Sequence, residues 1–286
     1  MKVLVTGAGG QVGVAVVAAL AAHPARPEVL GVTHADLDLS NREQVEQVVG
    51  TFAPDAIVNP AAITNVDACE SDPDRAYAVN ALGPRFLSVA GSRVGAHIVH
   101  VSTDYVFDGT AGRPYCEWDD TNPISHYGRS KLGGEIEVAR HASSWAIART
   151  AWVFGRRGKD FVQLALDAAA GADYGFVDDQ TGSPSYAPDV AAVLVQLALQ
   201  RVPGLFHAVN EGVCTRYRMA AEVLELRGMD PSVLKVVSTA DLGRPAPRPE
   251  FSAMSNLALP AAGVPRLRHH RDALAEYLSG SREAPR

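Results

Sequence analysis

The chain has 286 residues, 47% of them apolar and 20% charged, so it can fill the core of one large domain or of a larger and a smaller one sharing a cleft. Its net charge of −6, with no basic run or stripe, argues against a nucleic-acid partner. Three cysteines, Cys69, Cys116 and Cys214, lie far apart without a CxxC pair, which argues against a zinc or disulfide framework and points to free thiols in a reducing cytoplasm.

Residues 2–6 read as a short strand that stops at Gly7-Ala8-Gly9-Gly10-Gln11-Val12-Gly13, and a helix continues to His23-Pro24. The apolar run at 12–22 is too short to span a bilayer. The strand and glycines before it fit a strand, turn and helix better than a secretory leader, so no membrane association is expected. Residues 28–32 give a second strand, and Ser40-Asn41-Arg42-Glu43 reads as a capping box opening a helix to about residue 51. A third strand covers 55–59, and Pro60 marks its exit. Ser71-Asp72-Pro73 then opens one long helix to about 94, with the proline where a missing N–H costs little.

The fourth strand covers 96–102. After a loop ending at Asn122-Pro123, a helix carrying Tyr127 and Lys131 runs to about 141, and a fifth strand covers 145–149. Strands alternating with helices at this spacing imply an α/β fold, a Rossmann-type doubly wound parallel sheet with ligands at the carboxyl ends of its strands. Past Arg149 the pattern is less regular. Helices are expected at 159–170, 189–200, 217–227 and about 271–278, turns at 178–184, and a strand at 204–209 that returns to the sheet. The prolines of 244–249 exclude regular structure there. The expected organisation is a dinucleotide-binding domain at 1–150 with about 185–210, and a smaller C-terminal α/β substrate domain at about 151–184 and 211–286 sharing its cleft.

Gly7, Gly10 and Gly13 have the spacing a dinucleotide turn needs: the first permits the tight turn, the second lets backbone approach a pyrophosphate, and the third lets the helix pack on the sheet. The phosphates would then sit on the helix N-terminus, beside Gln11 and Val12. The competing reading is a merely structural turn. The second strand ends Val32-Thr33-His34, with neither the acid expected for a ribose 2′-hydroxyl nor the arginine expected for a 2′-phosphate, so NADH and NADPH both stay open. Asp38 and Leu39 are candidates to flank the adenine, a solvated aspartate being the alternative. Ala61 and Ala62 close the third strand with side chains small enough to let a cofactor pass.

Tyr127 and Lys131 stand four residues apart, on one face of a helix. Only four lysines occur in a chain that prefers arginine, so a lysine here points to a need for its compact ammonium. The bland alternative is a solvated helix face. The chemistry these residues permit is carbonyl reduction. The ammonium, with an oxidised nicotinamide as it forms, would bring the Tyr127 phenol down from about 10 toward the working range, so that it protonates the oxygen as hydride arrives at carbon. Thr103 would hydrogen-bond the same oxygen.

Thr6-Gly7-x2-Gly10-x2-Gly13 with Tyr127-x3-Lys131 resembles the extended short-chain dehydrogenase/reductase superfamily. The stretches 102–109 (STDYVFDG), 59–67 (NPAAITNVD), 149–155 (RTAWVFG), Asp179-Gln180-x-Gly182-Ser183-Pro184 and Arg248-Pro249-x2-Ser252 narrow the resemblance to the dTDP-4-dehydrorhamnose reductase family. The resemblance implies Thr103, Tyr127 and Lys131 as the catalytic set, the last two also touching the cofactor. It implies that Thr64, Val66, Tyr105 and Trp152 contact the deoxysugar, with Thr64 beside the cofactor as well, and that Arg248 lies near the nucleotide sugar. Read from the residues, an indole can pack on a sugar face and a guanidinium suits a diphosphate, while a core role for Trp152 stays open.

Two departures matter. Related dehydratases carry an acidic pair after the catalytic threonine, whereas Asp104 is followed here by Tyr105, which favours reduction over water elimination. Some members hold an interface Mg²⁺ through a glutamate where this chain has Ala15. No metal is therefore expected, and a monomer or a homodimer without a metal link is. The implied activity is reduction of the 4-keto group of dTDP-4-dehydro-L-rhamnose to dTDP-L-rhamnose with NADPH or NADH. The alternatives are a sister ketoreductase for another deoxysugar and a non-catalytic dinucleotide-binding subunit resembling the regulatory subunit of methionine adenosyltransferase.

Overall fold

Residues 1–157 and 161–280 are described by a computed structural model. β1 (Lys2–Val5) leads through the glycine turn into α1 (Gln11–Ala22), followed by β2 (Glu28–Gly31), α2 (Arg42–Phe52) and β3 (Ala56–Asn59). Next come α3 (Val66–Ser71), α4 (Pro73–Tyr77), a π-helical turn (Ala78–Leu82), α5 (Gly83–Arg93), β4 (His97–Thr103), α6 (His126–His141) and β5 (Trp145–Thr150). The remainder holds β6 (Val153–Phe154), α7 (Phe161–Ala169), β7 (Gly175–Val177), β8 (Thr181–Gly182), β9 (Ser185–Tyr186), α8 (Ala187–Leu199) and β10 (Gly204–His207). β11 (Cys214–Thr215), α9 (Arg216–Leu226), β12 (Lys235–Val237), α10 (Ala258–Ala261) and α11 (His270–Ser279) complete it.

Six strands pair in the order β10-β5-β4-β3-β1-β2, every neighbour parallel. A parallel sheet needs helices on both faces, which is why β3 and β4 are buried along their whole length, with the polar Asn59, His97, His100, Ser102 and Thr103 enclosed beside the apolar residues. Val3, Val5, Val58 and Val99 pack on one face with Val16, Leu20 and Leu194 from α1 and α8. Leu4, Ile57 and Ile98 point the other way, against Val45, Val49, Leu87 and Val138 from α2, α5 and α6. A second core, with Phe154, Phe176, Met219, Leu224 and Leu274, forms among the elements after β5. The strand order reverses at β1, whose neighbours β2 and β3 follow it in sequence, and the crevice at such a reversal is where open α/β sheets take ligands.

Two local features differ from the sequence reading. The helix expected at 71–94 is divided: α3 ends at Ser71, and a π turn interrupts the run between α4 and α5. That turn brings Asn80 inward, where its amide accepts from Ile63 N (2.8 Å), donates to Ile63 O (3.0 Å) and reaches the Ser130 hydroxyl (3.0 Å). A regular helix would orient this side chain differently, so the extra residue is tied to bracing the loop after β3 against α6. The cap of α2 is Asn41, accepting from Gln44 N at 3.1 Å, because the Ser40 hydroxyl donates instead to Asp38 (2.7 Å). The expected start at Lys159 lies outside the described residues, and α7 is seen from Phe161. Among the described residues no helix is long and apolar enough to cross a membrane.

Candidate active site

The carboxyl ends of β1, β3, β4 and β5 open into one cavity of about 1260 Å³. At its floor Gly7 adopts φ +56°, and a Cβ there would lie 2.8 Å from Ala61 Cα. A Cβ on Gly13 would lie 2.1 Å from the Gly7 carbonyl oxygen. Both positions are closed to any side chain, so the turn and α1 approach the sheet as a phosphate cradle requires. No side chain caps the N-terminus of α1, leaving its first turn directed at the cavity that Gly10, Gln11, Val12 and Gly13 line. The hydroxyls of Ser102 and Thr150, buried at the ends of β4 and β5, line the same cavity with no partner among the described residues. An uncapped helix end at one point and orphaned donors at another fit a dinucleotide laid across the sheet. Thr33, His34, Asp38, Leu39 and Arg75 line the far end.

Ser125 caps α6 by accepting from Gly128 N at 3.1 Å. A Cβ on Gly128 would meet the Tyr105 carbonyl oxygen at 2.1 Å, so only glycine lets α6 sit this close to the turn after β4. The approach sets the Tyr127 ring edge-on to Tyr105, centroids 5.4 Å apart, with Thr103 lining the same cavity. One turn further on, buried Lys131 donates from Nζ to Val101 O (2.7 Å) and stands 3.5 Å from His100 Nε2. His100 Nδ1 meets the Asn59 amide at 3.0 Å, and Asn59 accepts from the Thr6 hydroxyl. Burial, together with the Lys131 charge, holds His100 neutral, far below the usual imidazole range.

Burial also lowers the Lys131 ammonium to about 8, against the opposing pull of Glu135. The Tyr127 phenol is pushed above its ordinary value by burial, with the Thr103 hydroxyl only partly offsetting this. In the free protein desolvation dominates at this phenol, and the Lys131 ammonium is engaged with Val101 and His100; the expected lowering belongs to the state with oxidised nicotinamide forming beside it. Asp104, buried beside Thr103, is raised by burial to about 6 despite hydrogen bonds from Ser252 (2.5 Å) and Thr103 (3.0 Å).

Every residue singled out from the sequence lines this one cavity: Thr64 and Val66 at the start of α3, Tyr105 after β4, Trp152 after β5, and Arg248 from the proline-rich segment. Two have surroundings that differ from the expectation. Trp152 stands at φ +44°, a strained conformation for a bulky residue. Gly182 lies against its ring, where a Cβ would come within 2.4 Å of Cε2, and the Arg216 guanidinium lies 3.7 Å over the ring centre. The indole face expected for a sugar is therefore shared with a cation. Arg248 donates to Asp67 (2.8 Å) and to Ala246 O (2.7 Å), so its charge is already matched. Sequence reading missed Arg216, Gln180, His100 and Asn80; only Gln180 carried a signal, inside the Asp179-Gln180-x-Gly182 motif. Among the described residues no cluster of three or more His, Cys, Asp or Glu is arranged to hold a metal.

The family model described as the RmlD substrate binding domain matches residues 1–282. A dTDP-4-dehydrorhamnose reductase of Mycobacterium tuberculosis is 45% identical, over 97% of this chain and 92% of that protein. The crystal structure of a dTDP-4-dehydrorhamnose reductase from Clostridium acetobutylicum superposes with TM-score 0.93 at 37% identity, covering 99% of this chain and 100% of that one. A second, from Bacillus anthracis in complex with NADP, gives TM-score 0.91 at 33% identity over 98% and 99% of the two chains. With matches of this length and strength, the chain belongs to the dTDP-4-dehydrorhamnose reductase family.

Proposed function

We propose that the protein reduces the 4-keto group of dTDP-4-dehydro-L-rhamnose, giving dTDP-L-rhamnose, with NADPH or NADH as reductant. One observation carries this: a single cavity holds the glycine cradle at one end and Thr103, Tyr127 and Lys131 beside Trp152 at the other. Bound cofactor supplies the hydride. Tyr127, kept as a neutral phenol by burial, holds the proton the product oxygen needs. The Thr103 hydroxyl donates to the same oxygen, and the Lys131 ammonium balances the phenolate left behind. Carbon thus gains a hydride, oxygen gains the phenolic proton, and solvent returns that proton. Tyr105, standing where a dehydratase needs a second acid, limits the site to this one reduction. In this reading the sheet lobe, including α8 and β10, binds the dinucleotide, and the elements built on the second core bind the sugar nucleotide.

The test is oxidation of NADPH and NADH by purified protein given dTDP-4-dehydro-L-rhamnose, with the product identified by NMR. Tyr127→Phe is expected to lower kcat by about 10²–10⁴. Wild type that oxidises neither cofactor with this sugar, or a Tyr127→Phe enzyme as fast as wild type, rejects the proposal. Turnover of a different dTDP-4-ketosugar in its place assigns a sister ketoreductase.

A further inference from the structure

A nucleotide sugar brings a diphosphate into the cavity, and a cation has to meet it. Four arginines line the space: Arg75, Arg216, Arg244 and Arg248. Arg75 sits at the adenosine end, where its charge acts on Asp38. Arg244 is exposed on the irregular segment. Arg248 is held by Asp67 and by its own loop carbonyl. Arg216, the first residue of α9, is half-buried, and among the described residues no carboxylate lies within 4.0 Å of it.

We infer that Arg216, laid on Trp152, is the guanidinium that binds the diphosphate of the nucleotide sugar, an assignment that rests on the substrate reading above. Stacking at 3.7 Å fixes the plane of the guanidinium and leaves its N–H edge free to fork onto two phosphate oxygens. Phe161, 5.9 Å from the guanidinium carbon, lines the cavity beside it and helps exclude water. The Asp104 carboxylate acts on this cation from beyond ion-pair distance, so burial still costs it in the free protein, and an arriving dianion supplies the direct partner it lacks. The same contact explains the left-handed backbone of Trp152 and the bare Gly182 against its ring: together they turn the indole into a platform for Arg216. Arg216 is thus a substrate-binding and specificity residue whose loss acts on phosphate recognition and leaves the cofactor site intact.

The experiment is calorimetric titration of dTDP, and separately of thymidine, into the protein saturated with NADP⁺. Arg216→Gln is expected to weaken dTDP about 30-fold or more, as for loss of one partner of a desolvated charge pair, with thymidine and NADP⁺ affinities unchanged. Arg216→Lys, which keeps the charge but cannot stack or fork, is expected to recover only part of the loss. Either variant binding dTDP within threefold of wild type overturns the assignment. Wild type that binds neither dTDP nor thymidine overturns the nucleotide-sugar reading itself, a result distinct from a failure of Arg216 alone.

Discussion

Replacing Lys131 by Met tests the electrostatics of the site without substrate. In the free protein the ammonium is lowered from 10.5 to about 8 by burial, a native-state penalty of ~3 kcal/mol on the charged form. Between those two values the unfolded chain binds more protons than the native one, so wild-type stability gains with rising pH across that window. Below pH 8 the penalty is present in full. Lys131→Met has no proton to lose there, and His100, on which the Lys131 charge also acts, is held neutral across this window chiefly by its burial, which both proteins share. The stability of wild type relative to Lys131→Met should therefore rise by ~3 kcal/mol from pH 7 to pH 10.5, whatever the constant offset from packing and from the lost bond to Val101 O. Urea unfolding at half-unit pH steps measures both curves. An offset that stays constant within about 1 kcal/mol would show that Lys131 ionises as a solvated lysine and would refute the reasoning.

Thr103→Val should lower kcat on the order of 10² with cofactor affinity unchanged, and Thr103→Ser should keep most of the rate, both read by NADPH oxidation. Asp104 is raised from 3.8 to about 6, so its carboxylate penalises the native state above pH 6 and the penalty fades as pH falls toward 4; relative to Asp104→Asn, wild type should gain ~3 kcal/mol over that descent in urea unfolding. Arg149 and Glu135 form a buried two-bond pair at 2.9 and 2.7 Å, so Arg149→Ala should cost about 3–5 kcal/mol by stranding the carboxylate, measured by thermal unfolding. The double variant Arg149→Met with Glu135→Leu should recover most of that loss.

What the sequence disclosed is what local chemistry writes plainly. Gly7 and Gly13 announce themselves because no other residue fits contacts of 2.8 and 2.1 Å. Tyr127 and Lys131 are visible because one helical turn places them together. The strands of the sheet are legible because burial on both faces puts β-branched apolar pairs such as Ile57-Val58 and Ile98-Val99 at their centres. Contacts between distant segments left no such mark. Arg248 pairs with Asp67, 181 residues away, and that pairing removes the free charge a motif reading assigns to it. Arg216 reaches Trp152 across 64 positions of sequence and belongs to no motif. The π turn at Asn80 is set by what Ile63 and Ser130 require, not by the helix propensity of its own residues. The depth at which the Tyr127 phenol is buried left no mark either, because pair spacing reveals a neighbour but not desolvation.

Among the described residues buried charge is met in three ways: by ion pairs, by backbone N–H groups, as for Glu117 against His207, Leu257 and Ala258, or by neither. Arg149 with Glu135, Arg248 with Asp67, and Glu222 with Arg218 are matched within the chain, at 2.7, 2.8 and 3.4 Å. Lys131, Asp104 and Arg216 are not matched by an ion pair, and burial pushes each toward its neutral form. All three unmatched groups line the same cavity, and a folding sequence free of other demands would remove or pair them. Their survival together is best explained if ligands complete them: Lys131 beside a forming phenolate, Arg216 against a diphosphate, and Asp104 controlling where the single Thr103 proton points. That proton now goes to the Asp104 carboxylate at 3.0 Å, and a neutral Asp104 would release it toward a substrate oxygen. On the reading proposed above, the cavity stays electrostatically incomplete until cofactor and nucleotide sugar bind.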